Sequence, residues 1–239
     1  MERRGLAPAA LLLAAGLVAG GFLLGREVAR AVYAARASER TVTVRGFAER
    51  EVAANLVIWP IAYTATGDDL GAVHAKLEAD ATKVAAFLEA QGFPAEEISR
   101  ATPRVRDREA EGFGDRRPTE RYQASAAVTV RSTRVDAVRG AMQRAGELVR
   151  DGVALSQDYE SQPQFLFTSL DAIKPEMIAE ATKDARRAAE QFARDSGSRV
   201  GGIRSAQQGL FTIEDRDRLS PEQKKVRVVT TVQYFLEGS

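Results

Sequence analysis

DARRAAEQFARDSGSRVGG, Asp184 to Gly202, decides how this chain is read. It is rich in arginine and alanine and closes on glycines. A basic stripe would make it a nucleic-acid helix, and an alanine stripe would make it a packing helix. Extended back to Pro175, which suits a first helical turn, the segment places Ile178, Ala181, Ala185, Ala188, Ala189 and Phe192 at three- and four-residue steps. Glu176, Glu180, Asp184, Glu190 and Asp195 offset Lys183, Arg186, Arg187 and Arg194, and Arg186–Glu190 and Glu190–Arg194 are i,i+4 pairs of opposite charge. The charged face is compensated and solvated. The small face predicts a helix lying close on a sheet and ending at Gly197.

The flanks supply the sheet. Before the helix, QFLFTSL (Gln164–Leu170) reads as a strand. After it, GGIRSAQQGLF (Gly201–Phe211) and VRVVTTVQYFL (Val226–Leu236) read as strands around a charged loop, Glu214–Lys225, that contains Pro221. The same order occurs earlier. AANLVIWPIAYTAT (Ala53–Thr66) is a long strand with Pro60 inside it, which places it at a sheet edge or at a bulge. Asp68 and Asp69 suit a helix N-cap. Leu70, Val73, Leu77, Val84, Phe87 and Leu88 then form one helical face that closes at Gly92. ISRATPRV (Ile98–Val105), an exposed loop (Arg106–Arg121) and YQASAAVTVRS (Tyr122–Ser132) complete the unit. A helix from Thr133 onward, with Val135, Val138, Met142 and Leu148 near one face, separates the two halves. The expectation is an α+β domain over residues 41–239, opened by the strand TVTVRGF (Thr41–Phe47) and built from two β-α-β-β units, about 53–132 and 164–236.

At the other end, MERRG (residues 1–5) precedes Leu6–Gly25, an uncharged stretch of about the ~20 residues that a spanning helix needs. It is longer than the ~7–15 apolar residues of a cleaved signal peptide. It therefore reads as an uncleaved membrane anchor, followed by a charged helical linker at 26–40. Gly16, Gly20, Gly21 and Gly25 are spaced for close packing of two such helices. Orientation is contested. The arginines after the span favour a cytoplasmic domain by the positive-inside count, whereas a short N-terminal signal anchor exports the domain behind it.

Composition excludes several chemistries. The 239 residues contain no cysteine and one histidine, with a formal charge of +1. Disulfides, thiolate metal sites, cysteine nucleophiles and multi-histidine metal sites are excluded, and no basic field draws nucleic acid. His74, with Glu78 one turn on, is the lone candidate base, and its place at the edge of an apolar helix face reads as structural. The carboxylate pairs Glu49/Glu51, Asp68/Asp69 and Glu96/Glu97 read as a turn, a cap and a helix–strand connection. No phosphate loop, nucleophile elbow, zinc or calcium motif occurs. The sequence therefore assigns no catalytic residue, no cofactor and no metal. Its candidate contact residues are Trp59 and Pro60 on the edge strand and Phe113 at the tip of the loop Gly112–Gly114.

Several of these segments together resemble the SIMPL-domain family of bacterial envelope proteins. LDAIKPEMIAEATKDARRAAEQFARDSGSRVGGI resembles that family's alanine-rich helix, glycine and small-residue strand start, at Ala181, Asp184, Ala185, Ala188, Gly197 and Gly202. TVTVRGFAE resembles its opening strand, RYQASAAVTV its G-Y-x-A strand with Arg121 in place of glycine, and VVTTVQYFLE its closing strand. The family's Pro-Asp at the start of the second strand is replaced here by Ala54–Asn55. The resemblance implies an α+β fold, a place in the bacterial envelope with the soluble domain exported to the periplasm, links to stress defence and, in some members, assembly into ring-like homo-oligomers. It implies no catalytic residues. The resulting expectation is a non-enzymatic, membrane-anchored homo-oligomer. The alternative is a periplasmic binding module or holdase that uses the loops 106–121 and 214–225.

Overall fold

The computed structural model describes residues 25–28, 40–110, 119–156 and 161–238. In chain order the elements are β1 (Thr41–Ala53), β2 (Leu56–Gly67), α1 (Leu70–Ala90), a 3-10 turn (Ala95–Glu97), β3 (Ile98–Arg100), β4 (Arg104–Asp107) and β5 (Tyr122–Ser132). There follow α2 (Val135–Arg144), α3 (Gly146–Arg150), β6 (Gln164–Leu166), α4 (Leu170–Asp195), β7 (Ser198–Gln208), β8 (Thr212–Asp215) and β9 (Gln223–Gly238). They form two sheets, one in the order β3-β5-β2-β6 with β4 also on β5, the other in the order β1-β9-β7 with β8 also on β9. The chain divides into two compact units, a central one (Arg50–Lys174, Thr212–Val226) and a terminal one (Met1–Glu49, Pro175–Phe211, Arg227–Ser239). Mixed helix and antiparallel sheet give the expected α+β class.

In the central unit, β2 alternates as a half-buried strand should: Val57, Trp59, Ile61, Tyr63 and Ala65 are buried. They pack with Ala124, Val128 and Val130 of β5 and with Val73, Leu77, Ala81, Val84 and Leu88 of α1. Each fully buried Val or Leu contributes about 1.5–3 kcal/mol. The helical face therefore agrees with the sequence, except that Leu70 is exposed and Phe87 is only partly buried. Asp69 caps α1, its Oδ1 accepting from the Ala72 N–H at 2.7 Å. The segment read as one strand, Ile98–Val105, is broken into β3 and β4. Its pairing with β5 slips by one residue between Arg100↔Val128 and Arg104↔Ser125. Pro103 lies in that break and has no N–H to give to a ladder.

In the terminal unit, α4 buries Met177, Ala181, Ala185, Ala189 and Ala193, a strict four-residue stripe. The expected stripe was shifted to one side: Ala188 and Phe192 are exposed. A helix held close to a sheet touches it along one narrow line, and from Ala181 to Ala193 that line is all alanine. Gly46 of β1 shows how close the approach is. A Cβ at Gly46 would lie 2.0 Å from the Ala181 carbonyl oxygen and 2.2 Å from the Ala185 nitrogen. Arg186 binds Glu190 at 2.9 Å, as the spacing predicts, while Arg194 donates to Gln191 at 2.6 Å. α4 starts at Leu170, so Pro175 sits inside it and not in its first turn. Gly197, at φ +64°, ends the helical path and donates its N–H to Arg194 O.

The strand that opens the second repeat differs from the sequence reading. Gln164–Leu166 pairs with Ile58–Leu56 of β2, in the other sheet. The long final strand β9 has β1 as its neighbour instead. Each sheet thus places one long strand (β5 or β9) between a first strand (β2 or β1) and a bulged one. The bulge in β7 falls at Gly201–Arg204, where register slips between Val200, Ile203 and Ser205.

Candidate functional site

The edge of β2 away from β5 is closed in two places. Leu56–Ile58 pair with β6. Further along, the Thr64 N–H donates to Ala154 O at 2.9 Å and the Ser156 N–H donates to Ala62 O at 2.8 Å. Between these lies Pro60. In an antiparallel pleat alternate residues turn their backbone groups to the same side. Ala62 and Thr64 face this edge, and so does Pro60, whose missing N–H costs no ladder bond there. On its other side the strand stays in unbroken register with β5, Trp59↔Val130 and Pro60↔Thr129. Neither explanation the sequence allowed for the proline holds as stated: β2 lies between β5 and β6 and carries no bulge, and Pro60 falls where its second side makes no ladder bond among the described residues.

Two open grooves meet at this point. One, of about 390 Å³, is lined by Trp59, Pro60, Ile61, Met142, Leu155 and Pro163. The other, of about 590 Å³, is lined by Pro60, Ala62, Thr102, Arg104, Ser125 and Ala127. Trp59 is 7 % exposed and belongs to the core, so Pro60 is the member of the pair that reaches the edge. Among the described residues the walls are mostly apolar or carry hydroxyls, with the Gln162 amide in the first groove and the Arg104 guanidinium in the second. Such walls can hold an apolar or extended chain. Among the described lining residues there is no nucleophile–base pair and no ligand set for a metal.

The other sequence candidates are dispersed. His74 and Glu78 lie on the exposed face of α1. Glu49 and Glu51 stand in β1 rather than in a turn. Asp68 accepts from the Arg121 N–H at 3.0 Å, and Glu97 binds Arg134 at 2.9 Å. Among the described residues no group of acids and histidines could hold a metal ion. Phe113, Gly16, Gly20 and Gly21 lie outside the described residues, as does most of the proposed span. Gly25 is exposed at the start of a short helical stretch, 25–28. Among the described residues no helix is long and apolar enough to cross a membrane.

The described ends of both charged loops are paired, which the sequence did not show. Asp107 and Arg121 close the base of the first: Arg121 Nη2 donates to Asp107 Oδ2 at 2.8 Å and the Arg108 N–H to Arg121 O at 2.8 Å. The hydrogen bond from Arg121 holds the Asp107 carboxyl below the usual carboxylate range and the guanidinium above its own. In the second, β8 and the start of β9 pair across a turn. Lys224 turns inward, is buried and is bound by Asp215. In that turn Arg216 depresses the Asp217 carboxyl through a 2.9 Å hydrogen bond. An inward lysine breaks the alternation that would have marked this strand in the sequence.

Fold and site together define a two-sheet α+β chain with two grooves beside Pro60 of β2. The chain belongs to the SIMPL family, described as a protein of unknown function (DUF541), whose sequence pattern matches residues 42–234. A search of curated proteins returned no match.

Proposed function

We propose that the chain is a non-enzymatic, membrane-anchored envelope protein whose soluble module assembles into homo-oligomers, with the periplasm as its compartment and stress defence as its setting. One observation carries the assembly reading. The sheet β1-β9-β7 ends on both sides in long strands, 13 and 11 residues, with no further strand beyond them among the described residues. Unpaired strand edges are templates for another chain. The uncharged stretch Leu6–Gly25 and the family resemblance support the anchor and the compartment. Light scattering coupled to size exclusion on residues 38–239 tests the assembly. A discrete oligomer is expected, and a monodisperse monomer at micromolar concentration would remove the reading.

A second reading, a binding module, is favoured by Leu219, which is 94 % exposed in the turn between β8 and β9. Replacing it with serine would then abolish partner capture and leave the fold intact.

A further inference from the structure

We propose that the outer edge of β1 is a strand-addition site for a second copy of this chain, paired two-fold about Phe47 and latched shut by Asp184. The inference rests on the assembly reading and names the surface.

The direction of the backbone groups is fixed at both ends of β1. The Leu236 N–H donates to Arg40 O at 2.8 Å, and the Ala54 N–H donates to Glu222 O at 2.7 Å. Even-numbered residues therefore face β9, and Thr41, Thr43, Arg45, Phe47 and Glu49 turn their N–H and C=O groups to the outer edge. The Phe47 N–H confirms it, because it donates to Asp184 Oδ2 of α4 at 3.1 Å. Asp184 is in turn held by Arg187. A carboxylate reaching over a sheet edge to occupy one N–H is a device against edge pairing. It stands at the middle of the exposed run.

The sequence at that edge is complementary to itself. In an antiparallel pair centred on Phe47, Arg45 of one copy stands opposite Glu49 of the second, twice by symmetry, and the two Phe47 rings meet at the axis. Opposite charges and aromatic pairs directly across strands are stabilising, and a contact that repeats by two-fold symmetry is the form most homo-oligomers take. Phe47 is 53 % exposed and lies under Arg227, whose guanidinium carbon is 5.4 Å from the ring centroid. A large aromatic side chain thus stays open at the centre of the proposed contact. Releasing Asp184 frees the Phe47 N–H that this register uses.

The absence of cysteine from the chain makes the register directly testable. Facing α-carbons in such a pair are about 5.5 Å apart, within disulfide reach. Full-length chain in detergent micelles is used throughout, with far-UV circular dichroism as the check on folding. Asp184→Ala is expected to tighten self-association about tenfold in sedimentation equilibrium. Arg45→Glu in that background reverses the gain, and Arg45→Glu with Glu49→Arg restores it. Phe47→Cys gives a disulfide-linked dimer on mild oxidation in the wild-type and Asp184→Ala backgrounds, while Thr43→Cys gives none. Unchanged association in folded Asp184→Ala, or cross-linking equal at 43 and 47, overturns the inference. If the wild type still assembles in that case, assembly uses another surface and the proposed function stands. If no variant assembles, both fall.

Discussion

At the scale of the residue, a glycine and an acid carry consequences out of proportion to their size. Gly46 is where α4 touches β1 backbone to backbone. A methyl group there would overlap the Ala181 oxygen and the Ala185 nitrogen, neither of which can turn aside as a flexible side chain would. Gly46→Ala is expected to destabilise by at least about 2 kcal/mol, by forcing the helix off the sheet; urea midpoints at equal m-values measure it. A glycine inside V-R-G-F announces a close approach, but nothing in the sequence says that a helix 135 residues later makes it. Asp107 carries a pH dependence. Its folded pKa lies below the unfolded value of about 3.9, so its contribution is present above that pH and is lost as pH falls through the depressed value. Amide exchange of Arg108, normalised for intrinsic rate, should therefore speed up below pH ~4 in the wild type. In Asp107→Asn that acid step disappears. An unaltered profile in the variant would assign the loop closure to the Arg108–Arg121 backbone bond alone.

At the scale of the element, helices were legible and strand ownership was not. The four-residue alanine repeat and the face from Val73 to Leu88 are local patterns, and both survive in the structure with only edge residues reassigned. Whether QFL belongs with the sheet after it or the sheet before it depends on pairing across about 110 residues, which no window of sequence contains. Pro60 was only partly informative: a missing N–H is tolerated where no ladder bond is made, and here that place is a short stretch of an inner strand. The grooves on either side of it were not, since their walls come from β2, β5 and the segments around Met142, Leu155 and Thr102. One helix attachment was equally hidden. Asp80 of α1 is fully buried and holds Lys76 and Lys83, whose ammonium groups also donate to Gly152 O at 3.0 Å and Asp151 O at 2.7 Å, just past α3. Asp80→Ala removes the charge that positions both lysines. It is expected to cost about 1–3 kcal/mol and to loosen α3 selectively. Hydrogen exchange of the Gly152 and Val153 amides, compared with that of mid-α1 amides, separates this local effect from global loss of stability.

At the scale of the whole molecule, symmetry limits what one edge can build. A two-fold contact at β1 consumes that surface in both copies and stops at a dimer. A larger closed assembly needs a second contact, and the sheet offers one more long edge, β7. Gly209 donates its N–H to Val229 O of β9 at 2.8 Å, and Gln207 and Ser205 follow it at alternate positions, so Ala206 and Gln208 face outward. Ala206→Pro removes one outward N–H without breaking a ladder bond, the strand position at which proline is tolerated. If β7 is the second contact, native mass spectrometry of the full chain in detergent will show assembly arrested at the dimer in Ala206→Pro, with its unfolding midpoint little changed. In Asp184→Ala with Ala206→Pro the same arrest holds at lower protein concentration, because the β1 contact is tighter. Growth past the dimer in both variants would place the second contact elsewhere and leave Pro60, where β2 opens onto its two grooves, as the next edge to block.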